Sequence, residues 1–121
     1  MKVEASYKHA MPIPDVVDGA SGNAKYRVRA SRHDGPKEAE IHMLDTNIFC
    51  VTSGEATLVV GGKVVGEHRI AEPFEWRGRS IVGGTPYLLK KGDIMLVPRG
   101  IPLQFTRVED TPFLFFEVKV Q

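Results

Sequence analysis

Two side chains able to move protons or hold a cation stand one residue apart in the stretch Ala39-Glu-Ile-His42. If that stretch is a strand, Glu40 and His42 share one of its faces. A histidine titrates near neutrality and a neighbouring carboxylate can orient it, so the pair is equipped for general acid or base work. The plainer readings are a hydrogen-bonded core histidine and an exposed strand-end carboxylate. Asn47 adds a neutral amide five residues on. The other three histidines are His9 near the start, His33 beside Asp34-Gly35, and His68 in a charged stretch, and each reads as a solvated surface side chain. The single cysteine, Cys50, excludes an intramolecular disulfide and a Cys-rich zinc site. Flanked by Ile48, Phe49 and Val51, it reads as a small buried apolar residue rather than a nucleophile.

What must position these groups is a set of short strands. Glycine and proline number 12 and 8 of 121 residues and fall between β-rich runs, the pattern of an all-β sandwich or barrel. Strands are expected over Tyr26 to Ser31, Ala39 to Leu44, Asn47 to Ser53, Glu55 to Val60, Lys63 to Val65, Ser80 to Val82, Tyr87 to Lys90, Asp93 to Pro98, Leu103 to Val108 and Phe113 to Val120. Gly61-Gly62 between the fourth and fifth of these predicts a hairpin whose turn takes positive φ at both glycines. Glu109-Asp110 before Thr111-Pro112 reads as a solvated hairpin. Residues 1–24 are expected to form an arm outside a single domain of residues 25–121, with a helical turn open to Asp15 to Ala20. Glu67 to Arg79 lacks alternation and is expected to be a long loop, of the kind that carries function.

From Ala39 to Gly62 the chain reads AEIHMLDTNIFCVTSGEATLVVGG, and from Gly92 to Phe105 it reads GDIMLVPRGIPLQF. Over about residues 25–120 this resembles the cupin superfamily. Gly92, Pro98 and Gly100 keep the frame of its second motif, and His42 with Gly54 fits its first. The linker WRGRSIVGGTPYLLKKGD looks like that of small single-domain cupins with a Glu-x-Arg-Gly stretch, here Glu75 and Arg77. The resemblance implies a double-stranded β-helix, or jelly roll, of two antiparallel sheets. It also implies a site for three histidines and a carboxylate, whose positions fall on Glu40, His42, Leu103 and Asn47. Only His42 is kept, so no cofactor is expected beyond a residual chance of a divalent transition metal.

The inward positions of that frame would line a barrel pocket with Glu40, His42, Asn47, Phe49, Leu103 and Phe105, joined by Leu44. Phe74, Trp76 and Tyr87 could cap one end. Arg77, Arg79 and Arg99 could receive an anionic group, although Glu75 and Arg77 read as a structural ion pair. The leading expectation is a small organic molecule bound, and open to being transformed, in a mostly apolar pocket with His42 and Glu40 as the acid–base pair. The alternatives are a metal-dependent dioxygenase, isomerase or lyase using His42 and Glu40, and a structural or regulatory dimer with a filled barrel. The apolar faces of Phe113 to Val120 suggest a homodimer, or equally a strand buried between sheets.

Sixteen Lys and Arg against fifteen Asp and Glu, split 7 to 8 in residues 1–60 and 9 to 7 in residues 61–121, leave no basic face for nucleic acid. Apolar runs are too short for a membrane span, and the first residues lack the basic and apolar parts of a signal peptide, so a cytoplasmic protein is expected.

Overall fold

The computed structural model describes residues 26–121 and the backbone of Asp15–Asp18. Its elements are β1 (Asp15–Asp18), β2 (Tyr26–His33), β3 (Ala39–His42), β4 (Thr46–Val60), β5 (Lys63–Val65), β6 (His68–Arg69), β7 (Glu75–Gly78), β8 (Ser80–Val82), β9 (Thr85–Lys90), β10 (Ile94–Val97) and β11 (Leu103–Val120). The arm expected over residues 1–24 lies outside the described residues except for β1. There the backbone is a strand paired antiparallel with β2, not the helical turn that the local sequence allowed.

The two longest strands organise the rest. β4 and β11 pair antiparallel from Leu103↔Val60 to Val120↔Thr46, with register breaks on β11 between Phe105 and Leu114. Gly54 at φ 82° and the cis Thr111–Pro112 bond mark the bend in each strand. Four expected strands therefore merge into two, and Glu109-Asp110 lies within β11 instead of ending a hairpin. A bulge inserts a residue and turns the strand without breaking it, which local turn signals cannot reveal.

The bend folds one continuous nine-stranded sheet into two facing walls. One wall holds β2, the C-terminal half of β11, the N-terminal half of β4, and β10; the other holds β7, β3, the remaining halves of β11 and β4, and β9. Alternation along each strand then aims one set of side chains between the walls. Phe49, Val51, Phe113 and Phe115 meet Ala56, Leu58, Leu103 and Phe105 there, all buried. This is a jelly roll, and its core is aromatic.

β11 is hydrogen-bonded along both edges in its C-terminal half, to β2 and to β4, so Phe113 to Val120 is a central strand and not an outer one. Cys50 is only partly buried, on the outer face of β4 opposite Ile94 and Phe116. The Gly61-Gly62 turn has the expected positive φ, 85° and 78°. Its flanking strands do not form a hairpin: β5 leaves β4 and pairs with β8, while β9 takes the place beside β4. Backbone contact explains why glycine is needed, since a Cβ on Gly62 would lie 2.5 Å from Gly84 N and 2.5 Å from Val82 O. Gly62→Ala combines that clash with left-handed backbone, so denaturant unfolding should show a loss of at least about 2 kcal/mol.

Candidate functional site

The stretch expected to be a loop contains β7, and this rearranges the site. β7 pairs with β3 so that Glu40 faces Arg77 and His42 faces Glu75 as cross-strand neighbours. Lack of alternation hid a strand whose two inward residues are both charged.

His42 is 3% exposed. Its Nδ1 lies 2.7 and 2.8 Å from the two carboxylate oxygens of Glu75. A carboxylate only accepts, so Nδ1 carries a proton. Nε2 is 3.2 Å from Glu40 Oε1, but off the line of a hydrogen bond, and it is buried without a hydrogen-bond partner. Arg77 closes the group with Nη1 3.0 Å from Glu75 Oε1 and Nη2 3.7 Å from Glu40 Oε1. Burial alone would lower the His42 pKa; the contacts and charges of Glu40 and Glu75 outweigh it and raise it to about 9. Burial pushes the Glu40 and Glu75 carboxyls up, but His42, with Arg77 and the charge of Lys119, outweighs it and holds both below the usual carboxylate range. Near neutral pH the centre is thus an imidazolium between two carboxylates. It supplies a positive field behind Glu40.

Beside it lies a cavity of about 190 Å³, bounded by Phe49, Leu103, Phe105 and Phe115 at one end and by Arg29, Ser31, His33, Glu40, Glu72, Arg77, Glu117 and Lys119 elsewhere. Its lining is mostly polar and not the mostly apolar one expected from sequence, because the strands around it turn charged side chains inward. Burial pushes the Glu117 carboxyl up, opposed by Lys119 and reinforced by Glu40. A second, more open groove of about 260 Å³ includes Leu44, Asp45, Phe74 and Lys119; Glu72 and Lys119 border both spaces. Phe74 stands at the groove with φ 62° and is 54% exposed, a strained conformation of the kind found beside binding sites.

The residues singled out from sequence divide accordingly. Phe49, Leu103 and Phe105 line the cavity with Glu40, and His42 stands behind Glu40; Leu44 borders the outer groove instead of the barrel interior. Trp76 points to the opposite face of β7, with the Arg69 guanidinium 5.7 Å above its ring, so it does not line the pocket. Arg99 is on the exposed turn after β10 and borders neither space; Arg79 and Tyr87 likewise border neither. Asn47, expected in the pocket lining, borders neither space: it is 1% exposed, packed within the strand pairing of β4 with β10 and β11, and neither atom of its amide group has a hydrogen-bond partner among the described residues. Such a group costs about 1–3 kcal/mol, so Asn47→Leu should raise the melting temperature of the ligand-free protein by several degrees.

Sequence reading missed two groups. Glu75 reads from sequence as the ion-pair partner of Arg77 alone, yet both its oxygens also reach His42. His33, read as a solvated turn residue, is the last residue of β2, and its ring lies 4.8 Å from that of Phe105 and 4.9 Å from that of Phe115. The alternation of Arg29, Ser31 and His33 along β2 was the available signal.

The metal positions of this fold can be tested against these side chains. Leu103 has no donor atom, Asn47 offers one neutral oxygen, and the Arg77 cation already stands by Glu40. Among the described residues no group of three or more His, Cys, Asp or Glu could hold a metal ion. The donor set does not fit a tight transition-metal centre.

A bent β4–β11 pair, two facing walls and a site between them define a cupin fold, and comparison with solved structures agrees. Hydroquinone 1,2-dioxygenase from Sphingomonas sp. TTNP3, with 4-hydroxybenzoate bound, superposes with a TM-score of 0.66 at 16% identity, over 99% of this chain and 72% of that one. A hydroquinone 1,2-dioxygenase in complex with Cd²⁺ and 4-hydroxybenzonitrile gives 0.65 at 21% identity, over 99% and 71%. A cupin-2 domain protein from Shewanella frigidimarina gives 0.60 at 12% identity, over 100% and 94%. This chain has the fold of the small cupins. No protein-family model and no curated protein matches its sequence. None of the helices that could cross a membrane occurs among the described residues.

Proposed function

We propose that this chain binds a small organic molecule in the barrel, with the His42 imidazolium as the fixed positive group behind Glu40. The observation that carries this reading is a cavity of about 190 Å³ with an aromatic end and a charged end. A cavity of about 150 Å³ admits benzene, so a single-ring compound fits by size, with its ring at the Phe49, Phe105 and Phe115 end and polar groups around the rest. The ring compounds bound by the two dioxygenases belong to those proteins; here they support the size class alone. His42 borders neither space, so it acts on a bound molecule only through the positive field it sets behind Glu40.

The test is a screen of single-ring compounds by heteronuclear NMR on the protein and on Ser31→Phe, which adds bulk at the cavity wall. Shifts at Phe49, Leu103 and Phe105 that vanish in the variant are expected. A screen that moves none of these residues would end the reading. Elemental analysis of the same sample addresses the metalloenzyme: one transition metal per chain, lost on His42→Ala, would replace this proposal with that one.

We also propose a cytoplasmic homodimer, formed by packing of sheet faces. Ile94 and Leu96 are 72% and 55% exposed, and they register with Cys50, Ile48, Phe116 and Val118 into one apolar outer face. Exposed patches of this kind mark interfaces. Leu96→Glu should convert the species seen by light scattering from dimer to monomer; a monomeric parent protein would dismiss the dimer.

A further inference from the structure

The barrel holds two histidines in opposite surroundings. Unlike His42, His33 has no carboxylate on its ring. Its Nδ1–H donates to the Arg32 carbonyl at 3.1 Å, which sets the tautomer and leaves the lone pair on Nε2. Edge-to-face packing on Phe105 at 72° and Phe115 at 64° fixes the ring against the cavity wall. Nε2 makes no hydrogen bond among the described residues, and unlike Nε2 of His42 it is not sealed from solvent. We propose that His33 Nε2 is the hydrogen-bond acceptor that selects the barrel's ligand, which is a neutral, flat, single-ring-sized molecule carrying an O–H or N–H donor.

This inference rests on the small-molecule reading above and adds the ligand's chemistry to it. An acceptor-only nitrogen discriminates against an isosteric molecule without a donor, because the nitrogen would then be desolvated unpaired. A neutral ligand suits the opposite end, where cations and carboxylates stand together: Arg77 contacts Glu75 and Glu40, Arg29 is the cross-strand neighbour of Glu117 and acts on its charge, Glu72 adds a further carboxylate, and Lys119 lies within reach of the charges of Glu40, Glu75 and Glu117. Burial keeps His33 neutral by lowering its pKa, against the Arg32 carbonyl, which raises it. Of the charged groups facing it, Lys37 lowers the pKa further, while Glu40 and Asp34 raise it.

Phenol and its methyl ether anisole, titrated by NMR into the full chain, His33→Phe and His33→Gln, separate the outcomes. Expected are phenol binding about tenfold tighter than anisole, loss of that preference in His33→Phe with anisole affinity kept, and its partial return in His33→Gln, whose amide oxygen accepts. Equal binding of the two probes by the unaltered protein, or a preference that survives His33→Phe, overturns the proposal while the small-molecule reading stands. Binding of neither probe removes both. Long-range proton–nitrogen correlation in the free protein should show a neutral His33 protonated on Nδ1 at pH 7, and an imidazolium there overturns the proposal without any variant.

Discussion

Raising the pH from about 6.5 past 9 should melt this protein at progressively lower temperature, and Glu75→Gln should remove part of that slope, the remainder being held by Glu40. The folded pKa of His42 is about 9, against about 6.5 in an unfolded chain. A raised folded value means that the native state binds the extra proton throughout that window. The stabilisation is therefore complete below about pH 6.5, declines as pH rises, and is gone above about 9. For a side chain this buried its size is on the order of 2–3 kcal/mol, or roughly 10 °C of melting temperature for a domain of this length. Glu40 and Glu75 act at the other end. Their folded pKa values are lowered, so their stabilisation is present above the unfolded carboxylate value and is lost as pH falls. His33, with its pKa lowered, contributes above about 6.5 and loses that contribution in acid. Glutamine at position 75 still accepts from Nδ1 but carries no charge, so the variant isolates the electrostatic part. Melting scans of both proteins from pH 5 to 10 decide it: parallel curves would mean that the imidazolium is not held by Glu75.

Phe105→Ala should cost about 3–5 kcal/mol, the range for emptying a large buried aromatic site. Phe105 is 2% exposed, and its ring centre lies 5.4 Å from that of Phe49, 5.6 Å from those of Phe113 and Phe115, and 4.8 Å from that of His33. It comes from one wall and the other four rings come from the opposite wall, so its loss uncouples the two. The same truncation at Tyr87, exposed on β9, is a surface change expected to stay within about 0.5 kcal/mol. Denaturant unfolding measures both. A Phe105→Ala loss of less than about 1 kcal/mol would show that the aromatic cluster does not join the walls.

What could be read from the sequence is what short range determines. β-rich runs between glycines and prolines mark the segments of β3, β4 and β11, because such residues suit a pleated, half-buried strand, and Gly61-Gly62 announces positive φ because few other residues adopt it. The cupin-like frame of Gly92, Pro98 and Gly100 implied inward positions for Glu40, Phe49, Leu103 and Phe105, and the lack of any metal-ligating atom at Leu103 and of a carboxylate at Asn47 is plain from residue type. Tertiary structure decided which strands meet. Gly62 permits a tight turn, but the close approach of Gly84 and Val82 sends β5 to β8. β7 has two charged inward residues and no apolar stripe, so it is recognisable as a strand only through its pairing with β3. That pairing sets Glu75 against His42 and makes the histidine a cation, while the curl of β2 carries His33 inside, where burial keeps it neutral. A side chain's charge state depends on neighbours dozens of residues away, and only the folded chain brings them within reach.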